Sequence, residues 1–240
     1  MKLADAQRHW DEHARTDAMW AILTVPAKRG GKWGAEEFFA TGAAEIAWLM
    51  QKAGAWGLPL SRGRALDFGC GIGRATQALA DRFEGVVGVD VSPAMLDLAH
   101  RYNRHGERCQ YVWNAGAKLG QFGDASFDLI YSRFVLQHIR PRLVRSYLRE
   151  FLRVLAPGGL LFFQYLSRPV HPGRALAGRL QVALARMLAL PRSSRLMYMN
   201  SIKRSCVEEL LRRSGGRILE VEQNQDAGGE WVSLAYAVTR

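Results

Sequence analysis

The sequence predicts an α/β domain with a doubly wound, mainly parallel sheet. From Arg64 to Gln164, apolar runs of strand length alternate with amphipathic stretches of helix length. The apolar runs are continuous rather than alternating with polar residues, which is typical of strands covered on both faces by helices. A length of 240 residues with 48% hydrophobic content suits one globular domain and excludes a disordered or fibrous chain.

The elements of this domain can be assigned in chain order. Strands are expected at 65–68, 86–90, 111–113, 127–132 and 159–164, and helices at about 74–83, from 93 onward and at 143–155. We expect Pro157 and Gly158 to come just before the fifth strand. Two more strands, 218–222 and 231–238, are separated by a segment short enough for a hairpin, so the last strand should be antiparallel.

We expect a single domain, 1–240, with four parts. Residues 1–57 form a helical N-terminal cap, 58–166 form the core that binds the ligand, 167–204 form a helical insertion that covers the substrate, and 205–240 form a C-terminal helix and the β-hairpin. Within the insertion, Leu176, Leu180, Leu184 and Met187 share one helix face.

The charge distribution, the cysteines and the lack of long apolar runs indicate the cellular compartment that we expect. The net charge of +11 lies in the second half of the chain, mainly within 133–153 and 165–217. Three cysteines form no CxxC pair, which favours a reducing compartment and no metal site. The first residues lack an apolar signal run, and no stretch is long and apolar enough to span a bilayer. We therefore expect a cytoplasmic protein without a transmembrane segment.

The most informative motif is a glycine-rich loop at 66–74, LDFGCGIGR, between a predicted strand and a predicted helix. A dinucleotide fingerprint fails here because Arg74 and Thr76 occupy the positions of its last glycine, and no P-loop motif is present. Asp67 would repel a pyrophosphate but attract a cationic group. Asp90, at the end of the next strand, is placed to accept both hydroxyls of a ribose. These residues predict an adenosine ligand that carries positive charge.

Five motifs in order resemble the class I S-adenosylmethionine-dependent methyltransferases that act on small molecules. They are LDFGCGIGR at 66–74, GVDVSPAM at 88–95, SFDLIYS at 126–132, LQHI at 136–139 and RVLAPGG at 153–159. The resemblance implies a Rossmann-like, seven-stranded mixed sheet with an antiparallel last strand. It also implies S-adenosylmethionine as the cofactor.

The resemblance assigns parts of the cofactor to parts of the chain. Asp67 and the backbone of 69–73 would hold the methionine moiety, Asp90 the ribose, and Val91 and Met95 the adenine. The full expected set is Asp67, Gly69, Cys70, Gly71, Gly73, Arg74, Asp90, Val91, Met95, Asn114, Ala115, Gly116 and Ser132. Asn114 stands where the family often has an acid, but its side-chain carbonyl can still accept a hydrogen bond from the adenine amino group.

Methyl transfer from a sulfonium needs a positioned nucleophile, and hydroxyl or ammonium acceptors also need a base. His138 is the candidate base, although a histidine at this place can also have a purely structural role. Arg133 is the second candidate catalytic residue, because it could orient an anionic acceptor with two parallel hydrogen bonds. It could equally be a solvated charge. Trp10, His13 and Trp20 could form a lid or could be ordinary helix packing.

The predicted function is transfer of a methyl group to an oxygen or nitrogen of a small metabolite or natural product. Three alternatives remain open. An RNA could bind the basic second half, which includes Arg192, Arg195, Lys203, Arg204, Arg212 and Arg213. A basic amphipathic stretch, 174–190, could approach a membrane and a lipid or quinone precursor. A non-catalytic protein could bind the cofactor without transfer. The acceptor, the methylated atom, the pathway and the oligomeric state do not follow from the sequence.

Overall fold

A computed structural model describes residues 3–171, 173, 199–226 and 228–240. Its sheet has the strand order β3-β2-β1-β4-β5-β7-β6. The strands are β1 Arg64–Phe68, β2 Gly85–Asp90, β3 Cys109–Trp113, β4 Phe127–Ser132, β5 Leu155–Pro169, β6 Arg217–Asn224 and β7 Trp231–Thr239. The first five are parallel, and β7 is antiparallel to both of its neighbours. The predicted seven-stranded, doubly wound sheet with an antiparallel last strand is confirmed.

Helices cover both faces of this sheet. They are α1 Leu3–Ile22, α2 Ala35–Ala55, α3 Arg74–Ala80, α4 Pro93–Tyr102, α5 Pro141–Val154 and α6 Arg204–Arg213. On one face, Ile46 of α2 and Leu79 of α3 belong to one buried cluster with residues of the strands. On the other, Leu148 of α5 and Leu211 of α6 belong to a second cluster. Because these strands are parallel, their carboxyl ends, which lead into the helices, lie at one edge of the sheet.

Strand β5 is longer than the expected 159–164. Leu155 already pairs with Phe127, and the register between β4 and β5 then shifts so that Leu160 pairs with Leu129. Pro157, Gly158 and Gly159 therefore lie in an irregular part of the strand rather than before it. At its other end β5 continues to Pro169 because β7 pairs with it along this length.

The N-terminal helices form the expected cap, and α1 is held by hydrogen bonds to the start of α4 and to the segment that follows α1. The Asp11 carboxylate accepts hydrogen bonds from Ser92 Oγ (2.6 Å) and from the Ala94 amide (3.2 Å) at the start of α4. Asp17, where the helix leaves helical geometry, accepts hydrogen bonds from the amides of Gly30 (2.7 Å) and Gly31 (3.0 Å). These bonds fix the path of α1 across the carboxyl edge of the sheet.

The predicted boundaries of the four parts stay a prediction. Most of the expected insertion, including the helix face at Leu176, Leu180, Leu184 and Met187, lies outside the described residues. Within the described ranges, no helix has the length and apolar character needed to cross a bilayer. The same ranges contain no group of three or more histidine, cysteine or acidic side chains that could hold a metal ion.

Candidate functional site

A cavity of about 300 Å³ lies at the carboxyl ends of β1, β2 and β4. Open α/β sheets bind ligands at this edge. The core side of the cavity wall comes from the glycine loop and the strand ends, with Gly69, Gly71, Asp90 and Met95 among its residues. The opposite side comes from α1 and the segment after it, including Leu3, Ala6, Trp10, Ile22 and Leu23. The cavity is thus enclosed between the core and the N-terminal cap.

The glycine loop adopts a backbone that side chains would not tolerate. Gly69 has φ +79°, and a Cβ there would lie 2.3 Å from a methyl carbon of Val135. Gly71 has φ +53°, and a Cβ there would lie 2.7 Å from Ile22 Cδ1. Left-handed backbone and close approach both require glycine. The loop therefore presents bare backbone to the cavity.

Asp90 is held by the loops on either side of it. Its Oδ2 accepts a hydrogen bond from the Gly71 amide and its Oδ1 one from the Ser92 amide, both at 2.9 Å. Burial raises the pKa of Asp90, and these backbone hydrogen bonds oppose that shift. Each carboxylate oxygen has a further lone pair, so the pair of oxygens can still accept hydrogen bonds from vicinal hydroxyls in the cavity.

Asp67 lies behind the glycine loop rather than in the cavity wall. Its side chain is buried, with only 3% of the residue exposed, and Thr76 Oγ1 donates a hydrogen bond to its Oδ2 at 2.6 Å. Burial raises the pKa of Asp67 to about 7, against the opposing effect of the Thr76 hydrogen bond. Asp67 can therefore influence a cationic ligand through its charge, but the structure does not bring it to the cavity surface.

The predicted cofactor residues form two groups, those in the cavity wall and those outside it. Those in the cavity wall are Gly69, Gly71, Asp90, Val91, Met95 and Asn114. Those outside it are Asp67, Cys70, Gly73, Arg74, Ala115, Gly116 and Ser132. Burial raises the pKa of the Cys70 thiol well above its usual value. Ser132 Oγ donates to the Phe68 carbonyl at 3.0 Å, which joins the ends of β4 and β1.

The loop after β3 is supported by a residue that the sequence did not single out. Tyr147 of α5 donates a hydrogen bond from its hydroxyl to the Gly116 carbonyl, and its ring lies 4.5 Å from that of Phe68. The side-chain Oδ1 of Asn114 accepts a hydrogen bond from the Gly116 amide at 3.3 Å, so a hydrogen bond within the loop closes it. The helical spacing of α5 predicts a buried Tyr147, but nothing in the pattern indicates which loop its hydroxyl supports.

The hypothesis that Arg133 orients an anionic acceptor does not agree with its surroundings. Its Nε and Nη2 bind the two oxygens of Asp226 at 2.8 and 2.6 Å, and its Nη1 lies 2.9 Å from Glu45 Oε1. Burial alone would lower the pKa of Arg133, but the Asp226 hydrogen bond and both negative charges raise it above the usual value. The two carboxylates already neutralise the guanidinium. It is neither a solvated charge nor available as a fork for an acceptor anion.

Glu45 extends these contacts into a charged cluster, defined as Glu45, Arg74, Arg133 and Asp226. Arg74 Nη2 lies 2.9 Å from Glu45 Oε2, and both side chains are nearly buried. This pairing explains why Arg74 does not reach the cavity. Asp226, from the segment between β6 and β7, does line it. No sequence signal marked Asp226, because its partners are more than 90 residues away along the chain.

His138 lies in the cavity wall, in a 3₁₀ turn after β4. Only 8% of the residue is exposed, and its Nε2 is 3.3 Å from Gln137 Nε2. The Trp10 ring of α1 packs edge-on against the imidazole, with a centroid distance of 5.5 Å. Trp10 therefore belongs to the cover of the cavity. Trp20 instead donates to the Val25 carbonyl and lies beneath Arg29, away from the cavity wall.

His13 stands one helical turn from Trp10 and also contacts His9. The Nε2 atoms of the two histidines are 3.1 Å apart, and the His13 ring lies 5.6 Å from the Trp10 ring. Burial lowers the pKa of both histidines. His13 therefore packs behind Trp10 and does not itself face the cavity.

The strand order and the glycine loop are typical of α/β folds that bind nucleotides, and comparison with known proteins narrows the class of protein. Residues 66–163 match a family model described as a methyltransferase domain. This stretch of the chain is therefore similar to methyltransferase domains, in agreement with the resemblance carried by the five motifs.

Two curated relatives each match about half of the chain. An uncharacterized methyltransferase from Synechocystis is 35% identical over 106 residues, which cover 44% of this chain and 48% of the relative. A demethylmenaquinone methyltransferase from Tropheryma whipplei is 33% identical over 136 residues, which cover 55% and 52%. The matched region thus spans about half the length of these relatives.

A solved structure extends the likeness to the whole fold. The magnesium protoporphyrin IX methyltransferase of Synechocystis, crystallised with bound S-adenosylhomocysteine (SAH), superposes with a TM-score of 0.65 at 16% identity. The alignment covers 99% of each chain. At this identity the comparison shows a common fold, including the elements at both ends of the chain.

Proposed function

We propose that the protein transfers the methyl group of S-adenosylmethionine to an oxygen or nitrogen of a small, largely apolar molecule. The observation that carries the proposal is the cavity, in which the glycine loop and Asp90 face an apolar wall built from α1 and the segment after β4. S-adenosylmethionine supplies an electrophilic methyl group when bound. The chain then has to bind the cofactor and the acceptor, orient them toward each other and exclude water.

The cofactor half of the cavity has a donor and acceptor arrangement suited to an adenosine sulfonium. The bare backbone of Gly69 and Gly71 allows close approach, and the Asp90 carboxylate provides two acceptors for ribose hydroxyls. Val91 and Met95 offer apolar contact for the adenine. The carboxylate of Asp90 in the cavity wall favours a cationic ligand over a diphosphate.

The acceptor half is mainly apolar. Phe134, Val135 and Ile139 line it together with Trp10, and Gln137 and His138 add polar groups. Because Arg133 is already neutralised, this wall suits an uncharged acceptor better than an anion. The acceptors in the names of the two named relatives, demethylmenaquinone and magnesium protoporphyrin IX, are small molecules rather than macromolecules, which supports the same class of acceptor.

Calorimetry and a product assay test this proposal. We expect SAH to bind with an affinity in the micromolar range and NAD to show no binding under the same conditions. With S-adenosylmethionine and a panel of phenols, carboxylic acids and amines, we expect release of SAH with at least one apolar acceptor. Binding of NAD in place of SAH would overturn the assignment of the cavity. SAH binding without turnover on any acceptor would favour a non-catalytic protein.

His138 is proposed as the base for an acceptor that must lose a proton. Replacing it with glutamine is expected to lower kcat about 100-fold, because a positioned base contributes roughly this factor. The measurement is SAH release by wild type and variant with an acceptor found in the panel. SAH affinity should stay unchanged. The exposed His100→Gln variant is the control, and near-normal turnover of His138→Gln would leave His138 with a structural role.

A further inference from the structure

One surface of the described part of the molecule carries exposed cations that form no ion pair with an acid of that part. It is formed by α5 and by the residues that precede α5 and α6, and we define the basic face as Arg140, Arg142, Arg145, Arg149 and Lys203. Arg142, Arg145 and Arg149 follow one another at three- and four-residue spacing, so they form one stripe along α5. All five side chains belong to exposed residues.

The acidic residues of both helices are already engaged elsewhere. Glu150 binds Arg153 at 2.9 Å, and Glu208 binds both Arg204 and Arg212. Glu209 binds Arg213 at 2.5 Å. Among the described residues, no ion pair involves a member of the basic face. Its positive charge is therefore uncompensated within this part of the molecule.

The basic face begins beside the cavity. Helices α5 and α6 share one buried cluster, which includes Val144 and Val207. The Asn200 amide donates to the Gln137 carbonyl at 2.8 Å, and this bond brings the segment before Lys203 next to the turn before Arg140. Arg140 directly follows Ile139, a cavity residue. The cations therefore begin at the edge of the sheet where the ligand cavity lies.

The ends of the two helices strengthen the positive potential at this edge. Arg140 and Lys203 occupy the N-cap positions of α5 and α6, and neither helix has an acid in its first turn. A helix N-terminus carries partial positive charge, so cations there cost stability. An anionic partner would relieve this repulsion.

We propose that the basic face docks on an anionic membrane surface. Clusters of about four to eight lysines and arginines are attracted to anionic lipid headgroups without needing a shaped pocket. Single-stranded nucleic acid would instead need exposed aromatic side chains for base stacking. The aromatic residues of α5, Tyr147 and Phe151, are buried, and α6 contains none. A membrane is also the place from which an apolar molecule could reach the neighbouring cavity.

Flotation with lipid vesicles tests the docking surface without reference to methyl transfer. We expect the full chain to float with vesicles of phosphatidylglycerol and phosphatidylcholine, to stay in solution with phosphatidylcholine alone, and to lose binding as salt is raised. The triple variant Arg142→Glu, Arg145→Glu, Arg149→Glu should lower the partition coefficient at least about tenfold. The matched control, Arg82→Glu, Arg101→Glu, Arg104→Glu, reverses three exposed charges remote from α5 and α6 and should float like the wild type.

Several outcomes would overturn the inference. They are failure to float with anionic vesicles at low salt, equal loss in both triple variants, and binding of tRNA at a salt concentration where vesicles no longer bind. Circular dichroism establishes that the variants are folded. The α5 variant should still bind SAH, so a failure of membrane docking is distinguishable from a failure of the proposed function.

Discussion

Replacing Asp90 with alanine is expected to weaken SAH binding at least about 100-fold. The carboxylate would accept charge-assisted hydrogen bonds from both ribose hydroxyls, and hydrogen bonds to a charged group contribute about 1.5–3 kcal/mol each. The substitution also removes the acceptor that holds the amides of Gly71 and Ser92, so the loops on both sides lose a shared anchor. Calorimetric titration with SAH measures the loss directly.

Two further variants make the Asp90 result specific. Asp97→Ala removes an exposed acid from α4 and should leave SAH affinity unchanged. Asp90→Asn keeps one acceptor oxygen but loses the charge, so its affinity should fall between wild type and Asp90→Ala. Unchanged SAH affinity in Asp90→Ala, in a folded protein, would contradict the ribose assignment.

Replacing Arg133 with methionine is expected to lower the free energy of unfolding by about 3 kcal/mol. The side chain of Arg133 is only 21% exposed, and Asp226 and Glu45 are less exposed still. Removing one partner from a buried ion pair leaves uncompensated charge, at a cost of roughly 3–5 kcal/mol. Glu45 keeps Arg74 as a partner, so we expect the lower end of this range. Denaturant unfolding measures the change.

The matched control for Arg133 is Arg142→Met, which removes an exposed arginine and should change the free energy of unfolding by less than about 0.5 kcal/mol. Arg133→Lys keeps the positive charge but not the forked geometry, and its stability should lie between wild type and Arg133→Met. Equal stabilities of Arg133→Met and Arg142→Met would show that the charged cluster contributes nothing.

The fold was predictable because its signals are local and repeated. Continuous apolar runs locate β1, β2 and β4 to within two residues, and the terminal hairpin gives the antiparallel strand. The extent of β5 was not predictable, because Leu155 and Pro169 join the strand through pairing with distant partners. Proline and glycine at 157–159 suggested a strand start, but pairing accommodates them in an irregular register.

The site was predictable in its cofactor half and much less in its acceptor half. Gly69, Gly71 and Asp90 are marked by residue type and by position next to strand ends. Asp67 has the right chemistry for a cation, but the sequence could not show that it is buried behind the loop. Arg133 appeared free in the sequence because Glu45 and Asp226, which neutralise it, lie far away along the chain. Long-range electrostatic partners leave no local pattern.

The charged cluster and the cover of the cavity limit how far the chain can be truncated. The stretch with recognisable motifs, 66–163, contains neither Trp10 nor Asp226, which complete opposite walls of the cavity. It also lacks Glu45, so Arg133 and Arg74 would lose the carboxylates between which they are buried. The central stretch therefore supplies the glycine loop and Asp90, while both flanks supply the enclosure of the cavity and the charge balance around Arg74 and Arg133.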